Sequence, residues 1–154
     1  MFLKVVRTRI FFYFYLMENT DLRWRQRFVG FEKAYVGLKE AMDQDQLNEL
    51  ERSGLIQRFK FSIDLAWKIM KDFLENQGFQ FKPSPKETFR QAFESGYIGD
   101  AQPLIDGLEV RNTLSHDYSG EKFESSEKTI RNQVYPALTS LYHFFQNELT
   151  NHGR

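Results

Sequence analysis

The chain has 154 residues, enough for one domain with a real core. Twenty-one basic residues balance twenty-one acidic ones, so no global field pulls it onto a polyanion, and nucleic-acid contact would need a local patch. The absence of cysteine excludes a disulfide framework and a thiolate zinc site, which fits a reducing cytoplasm, and the 16% aromatic content predicts an aromatic core.

Residues 1–16, "MFLKVVRTRIFFYFYL", differ from everything after them: they hold three basic residues and no acidic one. Lys4, Arg7 and Arg9 precede an apolar run at 10–17 that is too short to span a bilayer and lacks a small-x-small cleavage site. Three readings stand: a targeting segment, a real extension, and a mis-set start with Met17 as initiator. The last is favoured, with residues 17–154 as a single helical domain and no membrane association.

Thr20 or Asp21 can cap a first helix to about Met42, where Phe28, Phe31, Tyr35, Leu38 and Met42 repeat at three- and four-residue steps. After the turn "DQDQLNE", Ser53 can cap a second helix over about 55–77, with Gly78 at its stop and Phe59, Ile63, Ala66, Met70 and Phe73 inward. Trp67 reads as core or dimer interface. "SPKET" predicts a short helix from Ser84, with Pro85 first and Glu87 completing a capping box. Asp100 caps a fourth helix carrying Leu104, Leu108 and the string "RNTLSHDY" at 111–118. "SGEK" breaks the chain before a long helix over about 123–149, kinked at Pro136. No segment alternates with period two, so the fold class is all-α: an up-and-down bundle of four long helices and one short one.

Helical residues advance by about 100°, which puts Arg111 and Tyr118 on one face with Leu104, Leu108 and Ser115, and Asn112 and His116 on another with Glu109. Arg111 and His116 diverge by roughly 140° on an ideal helix. A swung arginine, a helix ending near His116, or a two-fold dimer could each bring them together. Asn112 can hydrogen-bond His116 and fix its tautomer. An arginine fork and a histidine that moves protons near neutral pH point to phosphate chemistry. A bare Arg–His spacing is common, and a lone histidine at a helix end usually sits in solvent beside the dipole. The four-residue pattern is the informative part.

"RNTLSHDY" matches the R-x4-H-x-Y form of the HEPN family, helical nucleotide-binding domains of higher eukaryotes and prokaryotes. The stretches "IQRFKFSIDLAWKIMKDFLENQG" (56–78) and "SPKETFRQAFESGYI" (84–98) resemble its HepT branch, also called nucleotidyltransferase substrate-binding proteins, and the resemblance covers about residues 20–150. It implies a homodimeric bundle whose motifs meet at the dimer cleft. It also implies a metal-independent endoribonuclease toxin that needs no cofactor, encoded beside a minimal nucleotidyltransferase antitoxin that uses ATP. Carried over, Arg111 and His116 would be catalytic on RNA, Asn112 supporting, and Tyr118 the residue that receives AMP. The segment 1–16 departs from the pattern. Alternatives are a non-catalytic nucleotide- or substrate-binding subunit of a nucleotidyltransferase complex, and a helical interaction module with a vestigial motif. Arg52, Arg58, Lys60, Lys68, Lys71, Lys82, Lys86 and Arg90 could grip RNA or simply form a solvated face.

Overall fold

The computed structural model describes residues 2–116 and 120–151, with side chains for 6–115 and 120–151. Helices α1 (Phe2–Met42), α2 (Glu49–Asn76), α3 (Pro85–Glu94) and α4 (Gln102–His116) precede a rod made of α5 (Gly120–Thr129), a π-turn (Ile130–Val134) and α6 (Tyr135–Asn151). Among the described residues there is no strand, and the all-helical bundle is the expected one. No described helix is long and apolar enough to cross a membrane.

Helix α1 packs along α2, burying Trp24, Phe28, Phe31, Tyr35 and Leu38. It does not start at Thr20 or Asp21. Nothing between residues 2 and 20 breaks a helix, and both would-be caps are engaged inside it: Thr20 Oγ1 donates to the Met17 carbonyl, and Asp21 accepts from Trp24 and Arg25. The side chains of Phe11, Phe12, Tyr13, Phe14 and Tyr15 are exposed, so most of the apolar run faces outward.

Helix α2 begins earlier than Ser53. Its cap is Asn48, whose Oδ1 accepts from the Glu51 amide at 2.9 Å while the Asn48 amide donates to Glu51 at 2.8 Å. Ser53 lies inside the helix and donates to the Glu49 carbonyl. Gly78, at φ +89°, closes the C-terminal turn in the left-handed region. Helix α3 starts at the expected place, with Ser84 accepting from the Glu87 amide and Pro85 at the first position, but the Glu87 carboxylate pairs with Arg90 in place of the expected capping box.

The last rod is one continuous helical run that widens into a π-turn just before Pro136. The Tyr135 amide donates to the Ile130 carbonyl, five residues back. Pro136 has no N–H to give and its ring would clash with the carbonyl four residues earlier, so the extra residue in the turn relieves the clash. Arg131 fastens this turn to the end of α1, donating to the Met42 and Gln44 carbonyls at 2.9 and 2.8 Å and pairing with Glu127.

Trp24, Phe31, Phe73 and Phe145 meet at the bundle centre. Beside them, Asp72 is buried on α2 and is neutralised from α1 by Arg27 at 2.6 Å and Arg23 at 3.4 Å. On the α1–α6 seam Tyr35 stacks on Tyr142 at 4.4 Å and on Tyr135 at 6.0 Å. Burial, then the neighbouring Tyr35, pushes the Tyr135 hydroxyl up from 10.0 to about 12, and burial followed by Glu32 raises Tyr142 as well. A raised folded-state value means the native state holds its proton longer than the unfolded chain. Its contribution is therefore complete below pH 10 and is lost as the pH climbs to about 12. The urea midpoint should fall across that window, and less steeply in Tyr135→Phe; circular dichroism at fixed ionic strength measures both.

Candidate active site around Arg111

Helix α4 starts at Gln102, whose amide donates to the Asp100 carboxylate at 2.9 Å. It crosses close to the π-turn and α2 at Gly107. A Cβ there would lie 2.8 Å from Val134 Cγ1 and 3.2 Å from Ile63 Cδ1. Gly107→Ala should gain helix propensity yet lose more to overpacking, a net cost of about 1 kcal/mol or a melting drop of about 3 °C. Trimming the neighbour with Val134→Ala in the same chain should abolish that steric part.

Further along, α2 grips α4 with two side chains four residues apart. Lys60 Nζ donates to the Leu114 carbonyl at 3.3 Å, and Asp64 Oδ2 accepts from Arg111 Nη2 at 2.9 Å. Leu114 is fully buried between them and fixes the height of the helix. The Arg111 Nη1 reaches Asn112 Oδ1 at 3.3 Å, while Nε is buried without a hydrogen-bond partner among the described residues. A buried donor left unpaired costs free energy.

Arg111 lines a cleft of about 590 Å³ between α2, the start of α3 and α4. Asp64, Trp67 and Lys68 form one wall, Ser84 to Lys86 the second, and Leu108, Glu109 and Asn112 the third. The two helix faces separated in the sequence reading thus border one cavity, because the long arginine side chain turns toward α2. Asn112 Oδ1 accepts from Arg111 at the rim of this cavity. His116 is the last residue of α4, but its side chain and all of Tyr118 lie outside the described residues.

Asp64 is the residue that sequence reasoning missed. It sits 47 positions from its partner, inside the apolar-striped "FSIDLAWK", and no local spacing marks it. Of the basic candidates, Arg58, Lys60, Lys71 and Arg90 are held within the fold by Gly37, Leu114, Glu75 and Glu87. Arg52 lies over the Phe123 ring. Lys68 and Lys86 border the cleft.

Residues 26–147 match the model of a family described as nucleotidyltransferase substrate binding protein like. The chain belongs to that family. Its HepT-like character is supported by 28% identity over 113 residues to a protein named "Probable ribonuclease HepT" from Haemophilus influenzae, spanning 71% of this chain and 70% of the relative. A crystal structure of a Thermus thermophilus protein superposes with a TM-score of 0.64 at 26% identity, covering 77% of this chain and 98% of that one. The superposition agrees with the all-helical fold read from the sequence. Both 56–78 and 84–98, the stretches that carried the resemblance, fall inside the matched region, and between them they supply two walls of the Arg111 cleft.

Proposed function

We propose that this chain is the HepT-like toxin of a toxin–antitoxin pair, a metal-independent endoribonuclease silenced when a minimal nucleotidyltransferase partner transfers AMP from ATP to Tyr118. The observation that carries the reading is the Arg111 guanidinium, aimed by Asp64 into a cleft and retaining a buried, unpaired Nε–H, in a chain similar to a named ribonuclease. The RNA 2′-oxygen attacks the adjacent phosphorus, forming O2′–P and breaking P–O5′. The 2′-hydroxyl proton leaves to a base, and the departing 5′-oxygen takes one up. His116 serves that proton traffic near neutral pH, and Arg111 stabilises charge on the non-bridging oxygens. A homodimer whose two motifs share one cleft lets one protomer's His116 approach its partner's arginine, which answers the angle between them on a single helix. AMP on Tyr118 would bring a phosphate to compete for the same guanidinium. This chemistry belongs in the cytoplasm, where RNA and ATP are both present.

The purified chain should cut RNA in excess chelator, His116→Ala should not, and incubation with the partner and ATP should add AMP to wild type but not to Tyr118→Phe. Equal RNA stability with wild type and His116→Ala would discard the nuclease. An adduct surviving Tyr118→Phe would discard the tyrosine role. The family description favours a second reading, a non-catalytic subunit that holds nucleotide or substrate for the transferase. That reading expects no cleavage but a higher transferase rate when the two chains are mixed.

A further inference from the structure

Beside Arg111 the cleft holds two cations and an indole that the cleavage chemistry leaves unused. Lys86, at the start of α3, is exposed and meets no carboxylate among the described residues. Lys68 is exposed too, and its ammonium lies 6.0 Å over the ring of Trp67 without an acidic partner among the described residues. Trp67 is half-buried: part of its ring packs on the core and part borders the cavity. Two carboxylates share the lining. Asp64 is engaged by Arg111, and Glu109 stands exposed on α4. The cleft therefore carries one positive charge in excess, within a chain whose charges balance overall. Its volume of about 590 Å³ falls within the range of small-molecule pockets.

We infer that this cavity is a nucleotide subsite for single-stranded RNA, with the Trp67 indole as the base platform and Lys68 and Lys86 as the grip on the phosphate next to the one Arg111 handles. The inference rests on the ribonuclease reading for its choice of polymer. An aromatic face accepts any base, and cations on either side of it follow a phosphodiester backbone; a site so built tolerates sequence while requiring an unpaired strand. Glu109 disfavours crowding of further phosphates on the α4 side and so limits the grip to the α2–α3 side. The subsite also gives the Lys68–Trp67 contact a purpose: it holds the ammonium 6.0 Å over the ring, beside the place where a stacked nucleotide carries its phosphate.

The test is fluorescence anisotropy with a labelled, 2′-O-methylated oligoribonucleotide, which binds but cannot be cut by 2′-oxygen attack, titrated at several salt concentrations. Trp67→Leu should weaken binding roughly tenfold with an unchanged salt slope, and Trp67→Phe should keep most of the affinity. Lys68→Gln with Lys86→Gln should weaken binding and flatten the slope of log K against log salt by about 0.7 for each lysine lost. Melting curves within a few degrees of wild type qualify each variant. Binding unchanged in the leucine and glutamine variants, or lost equally in Trp67→Phe and Trp67→Leu, overturns the subsite. Tighter binding to a duplex than to the single strand overturns it as well. The unmethylated oligonucleotide separates the two ideas. If wild type binds through Trp67 and the lysines but cuts nothing, the nuclease falls and the subsite stands; if it cuts while the variants bind normally, the subsite falls and the nuclease stands.

Discussion

Arg111→Ala should lower RNA cleavage by about a hundred- to a thousandfold while leaving the melting temperature within a few degrees of wild type. That is the usual loss when one preorganised donor to a developing oxyanion is removed. The fold tolerates the change because the guanidinium is partly exposed and its partner Asp64 can turn to water. Arg111→Lys should recover little. A single ammonium cannot hold Asp64 and present parallel donors to a phosphate, which the planar guanidinium does. Asp64→Ala should cost about tenfold through lost aim, and nothing further in the Arg111→Ala background. That coupling distinguishes a positioning residue from an independent contributor. Single-turnover cleavage of a defined RNA measures all four. A fully additive double mutant would remove Asp64 from the account, and full activity in Arg111→Ala would remove the arginine.

Phe73→Ala should be the most damaging of the apolar truncations, at about 3 to 5 kcal/mol. Its ring is 1% exposed and stands edge-on to Trp24, Tyr97, Phe144 and Phe145, with centroids 5.1 to 5.7 Å away. Those neighbours come from α1, the turn after α3, and α6, so the void left behind is walled by three separate elements and collapses poorly. Domains are stable by only about 5 to 15 kcal/mol, so this one change removes a large share of the total. Phe73→Leu keeps most of the volume and should cost about 1 to 2 kcal/mol. Urea denaturation followed by circular dichroism gives both values; equal midpoints for the two variants would mean that the ring edges contribute nothing beyond size.

Much of this architecture is legible in the sequence, because the three- and four-residue steps of apolar residues are what a packed helix demands. Phe28, Phe31, Tyr35 and Leu38 on α1, and Phe59, Ile63 and Phe73 on α2, are buried where their spacing puts them. The helix ends are harder. Asn48 and Glu51 form a capping box that a reading centred on Ser53 passes over, since both are plausible first residues and only the fold decides between them. The single long α1 escapes such a reading because a good cap residue does not stop a helix already under way. Half of the site is local: the order of Arg111 and Asn112 along α4 can be read directly. The other half is tertiary. Asp64 and Lys60 reach the motif across an interhelical contact, and that pairing depends on how closely Gly107 lets α4 approach.

The wide turn at Ile130–Val134 has a consequence for phase. One surplus residue advances everything upstream by about 100° relative to α6, so Phe123 and Ser126 face inward only because the insertion is there. Deleting one residue from this stretch would leave a smoother rod on paper. It would also rotate α5 by more than a quarter-revolution, pull Arg131 away from the end of α1, and unseat the helix that follows directly on the RNTLSHDY segment. The irregular turn works as an angular gear between the two ends of the chain's last rod, and straightening it would misalign both.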